Sequence, residues 1–156
     1  MVKIKMILHP TDFSEPSKYA LCYALSFAEE YQAKLCVLHV IEEVSSALYF
    51  DMLQAPPLAQ LMADIEKQAQ KAMQELISPD AQGKIPIQYV IRKGVPFLEI
   101  IRCGEQVGAD MIVCGTHGRT GLKHALFGSV AEKVVRKSPC PVLSVRHPEH
   151  KFEMPV

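Results

Sequence analysis

Glycines and cationic side chains cluster in one fifteen-residue segment, 115–129, which reads GTHGRTGLKHALFGS. Four of the chain's eight glycines lie in it. Glycine can adopt positive φ, and without a Cβ it lets a ligand approach the backbone closely. The segment ends where a helical pattern begins, and a helix N-terminus presents unpaired N–H groups to an anion. Because Arg119, Lys123 and His124 add further donors, the segment predicts a polyphosphate site.

A turn-rich surface loop that precedes a capped helix would have a similar composition, so composition alone leaves both interpretations open. The segment contains neither the Gly-Lys-Ser/Thr of a Walker A loop nor a G-x-G-x-x-G pattern. What it does contain is the spacing G-x2-G-x9-G-S, formed by Gly115, Gly118, Gly128 and Ser129.

Histidines and cysteines are the other candidates for chemistry. His9, His39 and His117 each fall at the end of a predicted strand, which makes a metal cluster an alternative, although no i, i+4 pair of histidines supports it. His117 is interpreted instead as a neighbour of the phosphates. The five cysteines include no C-x-x-C pair, so we interpret them as reduced and buried small hydrophobic residues.

Strand and helix patterns alternate along the chain and would position these residues. The apolar runs predict strands at 5–9, 34–41, 85–92, 110–114 and 141–145, and helices at 15–33, 58–77, 96–107 and 128–137, with a loop at 45–57. Ser14 is the predicted N-cap of the first helix. This alternation predicts a parallel sheet with helices on both faces. Ligands of such sheets bind beyond the carboxyl ends of the strands, where the strand order reverses.

The whole chain fits one domain, which we place at residues 1–147, followed by a poorly ordered tail at 148–156. Its 156 residues suit a single core. Lys+Arg and Asp+Glu both number 17, and this balance argues against a protein that coats nucleic acid or an anionic membrane. No apolar run reaches the roughly 18 residues of a membrane span, and residues 1–6 lead into no signal peptide. We therefore expect a cytoplasmic protein with no nucleic-acid or membrane partner.

The glycine spacing belongs to a wider resemblance that covers nearly the whole chain. It is accompanied by PTDFS at 10–14, by HV at 39–40 and by GSVAEKVVRKSPCPVLSVR at 128–146. Together these motifs resemble the ATP-binding subclass of the universal stress protein family. The resemblance implies an α/β, Rossmann-like fold, an open five-stranded parallel sheet in the order 3-2-1-4-5 with helices on both faces. It also places the 10–14 loop opposite the glycine segment.

The resemblance further implies roles for individual residues. Asp12 would bind the ribose or the adenosine side, Val40 would meet adenine, Pro10 and Cys114 would wall the base, and Gly115 would lie against the ribose. The phosphates would be held by residues 116–119 together with Gly128, Ser129 and Val130, mostly through backbone N–H groups and the Ser129 hydroxyl, with Mg or Mn bridging the phosphate oxygens. The complete predicted ATP-binding set is Pro10, Thr11, Asp12, Val40, Cys114, Gly115, Thr116, His117, Gly118, Arg119, Gly128, Ser129 and Val130. Each of these roles has a structural alternative: Asp12 could cap the first helix, Val40 could be ordinary core and Ser129 could simply start a helix.

The segment supplies phosphate donors but no evident general base. We therefore expect an ATP-binding regulatory stress-response protein, a nucleotide-dependent switch that is at most a slow ATPase. The alternatives are an ATP hydrolase or nucleotidyl transferase on the same fold, and an interaction module with an empty pocket. The last strand, 141–146, is apolar and lies at a sheet edge in the implied order, so we expect a homodimer formed through it. The sequence does not identify a further protein partner.

Overall fold

A computed structural model of the chain describes residues 1–43, 58–118 and 127–149. The predicted loop at 45–57, the site residue Arg119 and the tail from residue 150 lie outside these ranges. In chain order, the described elements are β1 (Met6–Thr11), α1 (Glu15–Tyr31), β2 (Lys34–Glu42), α2 (Leu58–Glu75), α3 (Pro79–Gln82), β3 (Ile87–Gly94), α4 (Pro96–Val107), β4 (Met111–Gly115), α5 (Ser129–Lys137) and β5 (Val142–Val145).

The five strands form one parallel sheet in the order β3-β2-β1-β4-β5. This confirms the predicted fold and the reversal of strand order between β1 and β4. The register of β1 with β2 extends from Met6 to Thr11. With β4, the registered residues of β1 are only Ile7 and Leu8. The two central strands therefore separate toward their carboxyl ends, and a crevice opens between them.

The core has one layer on each face of the sheet. On one face, α1 contributes the small residues Ala20, Ala24 and Ala28, all fully buried, so the helix approaches the strands closely. On the other face, α4 and α5 cover a cluster that includes Leu8 and Ile112. Because both faces of the central strands are covered, these strands are apolar along nearly their whole length.

Helix α1 begins as the sequence predicts. The hydroxyl oxygen of Ser14 accepts a hydrogen bond from the N–H of Ser17, and a proline occupies the first turn. The helix ends at Tyr31 rather than at residue 33, because Gln32 adopts a left-handed conformation with φ 51°. Ala33 then donates its N–H to the carbonyl of Ala28, which closes the helix end.

Two further boundaries differ from the prediction for identifiable reasons. Strand β1 continues through Pro10 to Thr11 instead of ending before the proline. Pro10 has no N–H, but it lies beyond the registered pairs with β4, so the sheet tolerates it there. The second helix ends at Glu75, and a separate four-residue helix, α3, follows it. The signal for α3 was an N-cap serine, Ser78, directly before a proline.

Candidate functional site

A cleft of about 770 Å³ opens at the carboxyl ends of β2, β1 and β4. It lies where the strand order reverses, as open α/β sheets predict for a ligand site. Its volume is in the range of small-molecule and cofactor sites. Two segments face each other across it. The first, residues 11–14, consists of the last residue of β1 and the connection to α1, and is called the β1–α1 loop. The second is the β4–α5 connection, whose described parts are residues 116–118 and 127–128.

Side-chain hydrogen bonds organise the β1–α1 loop. The Thr11 hydroxyl oxygen accepts from the N–H of Phe13 at 3.1 Å and from the hydroxyl of Ser17 at 2.9 Å. Oδ1 of Asp12 accepts from the N–H of Ser14 at 3.0 Å and also from its hydroxyl. These bonds hold Phe13 at φ 64°, a conformation that bulky residues rarely adopt. The helix cap is Ser14, and Asp12 supports that cap.

Backbone hydrogen bonds anchor both ends of the β4–α5 connection. The N–H of Thr116 donates to the carbonyl of Val145 at 3.0 Å, and the N–H of Gly128 donates to the carbonyl of Thr116 at 2.7 Å. Both of these N–H groups were predicted to hold phosphate, and the fold itself engages them. The first N–H groups of α5 belong to Ser129, Val130 and Ala131, and they have no intrahelical partner. These three N–H groups are therefore oriented to bind an anion at this end of the cleft.

Close approach, and not positive φ, explains Gly115 and Gly118 in this connection. A Cβ on Gly118 would lie 2.5 Å from Oδ2 of Asp12, on the opposite loop. A Cβ on Gly115 would lie 3.2 Å from the carbonyl oxygen of Pro16. Gly128 has φ −68°, which any residue can adopt. Among the described glycines only Gly94 and Gly108 have positive φ, so the expectation of positive φ is wrong for the three described glycines of the segment.

His9 lies beneath the junction of the two loops and is completely buried. Its Nδ1 lies 2.8 Å from the carbonyl oxygen of Val113 on β4, so Nδ1 carries the proton and donates. Its Nε2 is buried without a hydrogen-bond partner in the part of the chain that the structure describes. Burial lowers the pKa of His9 to about 4. The ring is therefore neutral at pH 7.

The other two candidate histidines line the cleft and engage local partners. Nδ1 of His39 lies 2.8 Å from the carbonyl oxygen of Thr11, and its ring packs 4.4 Å from the ring of Phe13. Nδ1 of His117 lies 3.0 Å from the hydroxyl oxygen of Thr116. Within the described residues, no group of three or more His, Cys, Asp or Glu side chains could hold a metal ion.

The cleft brings together most of the predicted site residues. Thr116 is an exception, because it is buried and acts through its bonds to Val145, Gly128 and His117. Arg119 lies outside the described residues. Burial raises the pKa of Cys114 to about 11, so its thiol is protonated at pH 7. The predicted residues that line the cleft are Pro10, Thr11, Asp12, Val40, Cys114, Gly115, His117, Gly118, Gly128, Ser129 and Val130.

The prediction missed the wall that α2 and α4 provide. Four residues of α2 line the cleft, at the helical spacing i, i+3, i+4 and i+7: Ile65, Gln68, Ala69 and Ala72. Pro96 and Ile100 of α4 line it as well. The spacing marks a single face of α2 in the sequence, but no local signal indicates which strand end that face covers.

Comparisons with known proteins agree with this architecture. The Universal stress protein family profile matches residues 3–146. Universal stress protein MJ0531 of Methanocaldococcus jannaschii is 36% identical over 146 residues, which cover 93% of this chain and 84% of the relative. Universal stress protein MJ0577 of the same organism is 33% identical over 162 residues, which cover 93% of this chain and 96% of the relative.

Solved structures share the fold. That of MJ0577 has a TM-score of 0.80 at 33% identity and covers 94% of this chain and 98% of its own. The structure of a universal stress protein in complex with cAMP has a TM-score of 0.61 at 24% identity and covers 93% of this chain and 98% of its own. This similarity is one of fold. Among the described residues no helix has the length and apolar character needed to cross a membrane. On the profile and the identities, the chain belongs to the universal stress protein family.

Proposed function

We propose that this chain binds ATP in the cleft and works as a nucleotide-dependent regulatory protein of the stress response. The observation that carries the proposal is the two-ended character of the cleft. One end is formed by the start of α5 and by closely approached glycines, and the other by apolar side chains at the end of β2 and on α2. A nucleotide has the matching polarity, an anionic polyphosphate joined to a flat and largely apolar base.

The phosphate end rests on backbone donors. The N–H groups of Ser129, Val130 and Ala131 begin α5, and the positive end of the helix dipole favours an anion there. Gly118 allows the chain to pass close to Asp12 without a side chain in between. His117 lines the same part of the cleft. These features support a polyphosphate held mostly by the main chain.

The nucleoside end rests on side chains. Val40 is half-buried at the end of β2, and Pro10 and Cys114 line the cleft beside it. The neutral, buried thiol of Cys114 behaves as an apolar surface at pH 7. Asp12 lines the cleft next to Gly118, and in this proposal its carboxylate would accept a hydrogen bond from ribose. We expect this apolar slot to bind ATP more tightly than GTP.

We expect a divalent ion, Mg or Mn, to accompany the phosphates. Mg²⁺ is usually held by one or two carboxylates together with substrate phosphates and water. The described part of the chain offers no three-ligand protein site. In this proposal the ion bridges phosphate oxygens and needs few protein ligands, so nucleotide affinity should fall when EDTA is present.

Hydrolysis should be slow. Efficient phosphoryl transfer needs a residue that orients or deprotonates the attacking water. Asp12 is engaged by Ser14, and Nδ1 of His117 by Thr116. We expect a turnover of about one per minute or less, against a typical enzyme median of about ten per second. Fast magnesium-dependent hydrolysis by the pure protein, lost in a His117→Ala variant, would favour the alternative of a true ATP hydrolase.

Equilibrium dialysis tests the proposal directly. Nucleotide-stripped protein is dialysed against labelled ATP with Mg, with unlabelled GTP or cAMP as competitors. The proposal expects saturable binding of one ATP per chain, displaced poorly by GTP. An absence of ATP binding at millimolar concentration by protein that is folded by circular dichroism would contradict it and leave the alternative of an interaction module.

We also propose a homodimer formed through β5, in the cytoplasm, with a further protein partner still to be identified. β5 is an edge strand of the sheet. Ile112 donates to the carbonyl of Pro141 and Thr116 to that of Val145, so the main-chain groups of Val142 and Ser144 point outward. Pairing of these outward groups with a second copy would satisfy them.

Light scattering tests the dimer. We expect twice the chain mass of 17.4 kDa at tens of micromolar. A Val142→Pro variant, which loses an outward N–H, should be a monomer. A wild-type protein that remains monomeric with and without ATP would contradict the assembly.

A further inference from the structure

We propose that Gln68, on α2, is a specificity residue that reads the base of the bound nucleotide. This inference rests on the proposed function and deepens it. Four residues of α2 line the cleft, and Gln68 is the only polar one among them. Its neighbours on that face are the apolar Ile65, Ala69 and Ala72. A single amide on an otherwise apolar wall is the arrangement of an orienting group in a ligand site.

The position of α2 is fixed by contacts outside the cleft. Met73 anchors the helix in the core and is 2% exposed. On the same side of the helix, two turns earlier, Oε2 of Glu66 lies 2.7 Å from Nζ of Lys93, which links α2 to the end of β3. Gln68 itself is exposed in the cleft. The backbone of α2 at Gln68 is therefore fixed in position, while the side-chain amide of Gln68 remains accessible to a ligand.

The strand order identifies which part of the nucleotide Gln68 would meet. The anion-binding start of α5 follows β4, whereas Val40 and Glu42 belong to the end of β2. β1 lies between these two strands, so β2 and β4 are two strand spacings apart, about 10 Å. α2 packs next to β2 and β3. With the phosphates at α5, the part of the ligand that reaches α2 is the base.

The chemistry of the amide suits adenine. A glutamine side chain provides one acceptor and one donor, which can pair with the adenine amino group and the adjacent ring nitrogen. A carboxylate at the same place has only acceptors and suits the N1–H and amino group of guanine instead. Glu42 also lines this end of the cleft and is exposed at its mouth. It can accept from the amino group of adenine, but it cannot donate to a ring nitrogen.

The test compares Gln68→Leu and Gln68→Glu with a control, Gln70→Leu, which alters an exposed glutamine of the same helix that does not line the cleft. The dissociation constants of ATP, GTP and inorganic triphosphate are measured by equilibrium dialysis. We expect Gln68→Leu to weaken the binding of ATP about 5- to 100-fold and to leave the affinity for inorganic triphosphate unchanged. Gln68→Glu should lower the ratio of ATP to GTP affinity by at least as much. Gln70→Leu should match the wild type.

The outcomes separate this inference from the proposed function. If the wild type binds ATP and both Gln68 variants keep its affinity and selectivity, the inference is overturned while the proposed function stands. If the Gln68 variants weaken the binding of triphosphate as much as that of ATP, Gln68 supports the structure of the cleft without contacting the base, and the inference is again overturned. If the wild type binds triphosphate but not ATP, the proposed function fails as well.

Discussion

The two loops that face each other across the cleft are held in different ways. Residues 11–14 are fixed by their own side chains, through the hydroxyl of Thr11, the carboxylate of Asp12 and the cap of Ser14. The β4–α5 connection is fixed at its ends by main-chain hydrogen bonds from Thr116 and Gly128. Side chains therefore determine the shape of the first loop. The main chain determines that of the second, so there we expect an added side chain to disturb the structure more than the removal of an existing one.

This difference has a functional meaning. Under the proposed function, a main-chain anion site would recognise phosphate by charge and by the direction of its N–H groups, and recognition of the base would fall to the other end of the cleft. Truncating side chains in the β1–α1 loop should therefore affect stability, whereas adding a side chain to the β4–α5 connection should affect ligand binding.

The largest expected effect comes from adding bulk to the second loop. A Gly118→Val variant places a Cβ 2.5 Å from Oδ2 of Asp12, so either the Asp12 carboxylate, which Ser14 holds through Oδ1, or the backbone at residue 118 must shift. Overpacking of this kind costs about 1–3 kcal/mol or more. We expect ATP affinity to fall by about 100-fold or more, measured by equilibrium dialysis, while the far-ultraviolet circular dichroism spectrum is retained.

Gly83→Val is the matched control for this change. Gly83 has φ −73°, and a Cβ there would meet nothing closer than 3.6 Å, outside the cleft. Its ATP affinity should equal that of the wild type. A folded Gly118→Val protein with wild-type affinity would show that the approach of the two loops is not needed for binding.

The next largest expected effect concerns His9, whose side chain links β1 to β4 beneath the two loops. Its folded pKa of about 4 lies below the unfolded value of 6.5. Between these values the unfolded chain binds a proton that the folded chain does not, so stability is lost as the pH falls through this window. The contribution amounts to about 2 kcal/mol between pH 7 and pH 5.

A His9→Gln variant tests this, because the amide can still donate to the carbonyl of Val113 while it does not titrate. Between pH 7 and pH 5, we expect the free energy of unfolding in urea to fall by about 2 kcal/mol more for the wild type than for the variant. In the wild type, the NMR signals of the His9 ring should not titrate above pH 5. A ring that titrates near 6.5 would contradict the buried, neutral state.

The smallest expected effect is in the first loop. Ser14→Ala removes the cap of α1 and the hydroxyl that binds Asp12, and loss of such a cap costs about 1 kcal/mol. Ser26→Ala is the control, since its exposed hydroxyl bonds only a carbonyl within the same helix, that of Cys22. Thermal unfolding should show a clear loss of stability for Ser14→Ala and little change for Ser26→Ala. Equal stability of the two would mean that the loop does not depend on its cap.

The sequence allows much of the fold to be predicted, because alternating apolar runs determine the strands and helices locally. The cap at Ser14 and the bounds of α4 were predicted for the same reason. The short helix α3 was missed, and β1 was ended too early at Pro10. The proline is tolerated there only because β1 and β4 separate, which is a property of the assembled sheet.

The site was predictable where it follows strands and less so where it depends on packing. The glycine spacing and the 10–14 motif identify the two loops. The N–H of Thr116 is engaged by Val145 of β5, and that of Gly128 by the carbonyl of Thr116, and both partners are distant in sequence. The α2 wall with Gln68 depends on how that helix lies over β2. Neither feature has a local signal.

The central claim is that the cleft has a phosphate end at the start of α5 and a base end beneath α2. Amide NMR spectra recorded with inorganic triphosphate, with adenosine and with ATP test it most directly. We expect triphosphate to shift the signals of Ser129, Val130 and Ala131, adenosine to shift those of Val40 and Gln68, and ATP to shift both sets. Triphosphate that shifts the second set alone, or ATP that shifts neither, would contradict the claim.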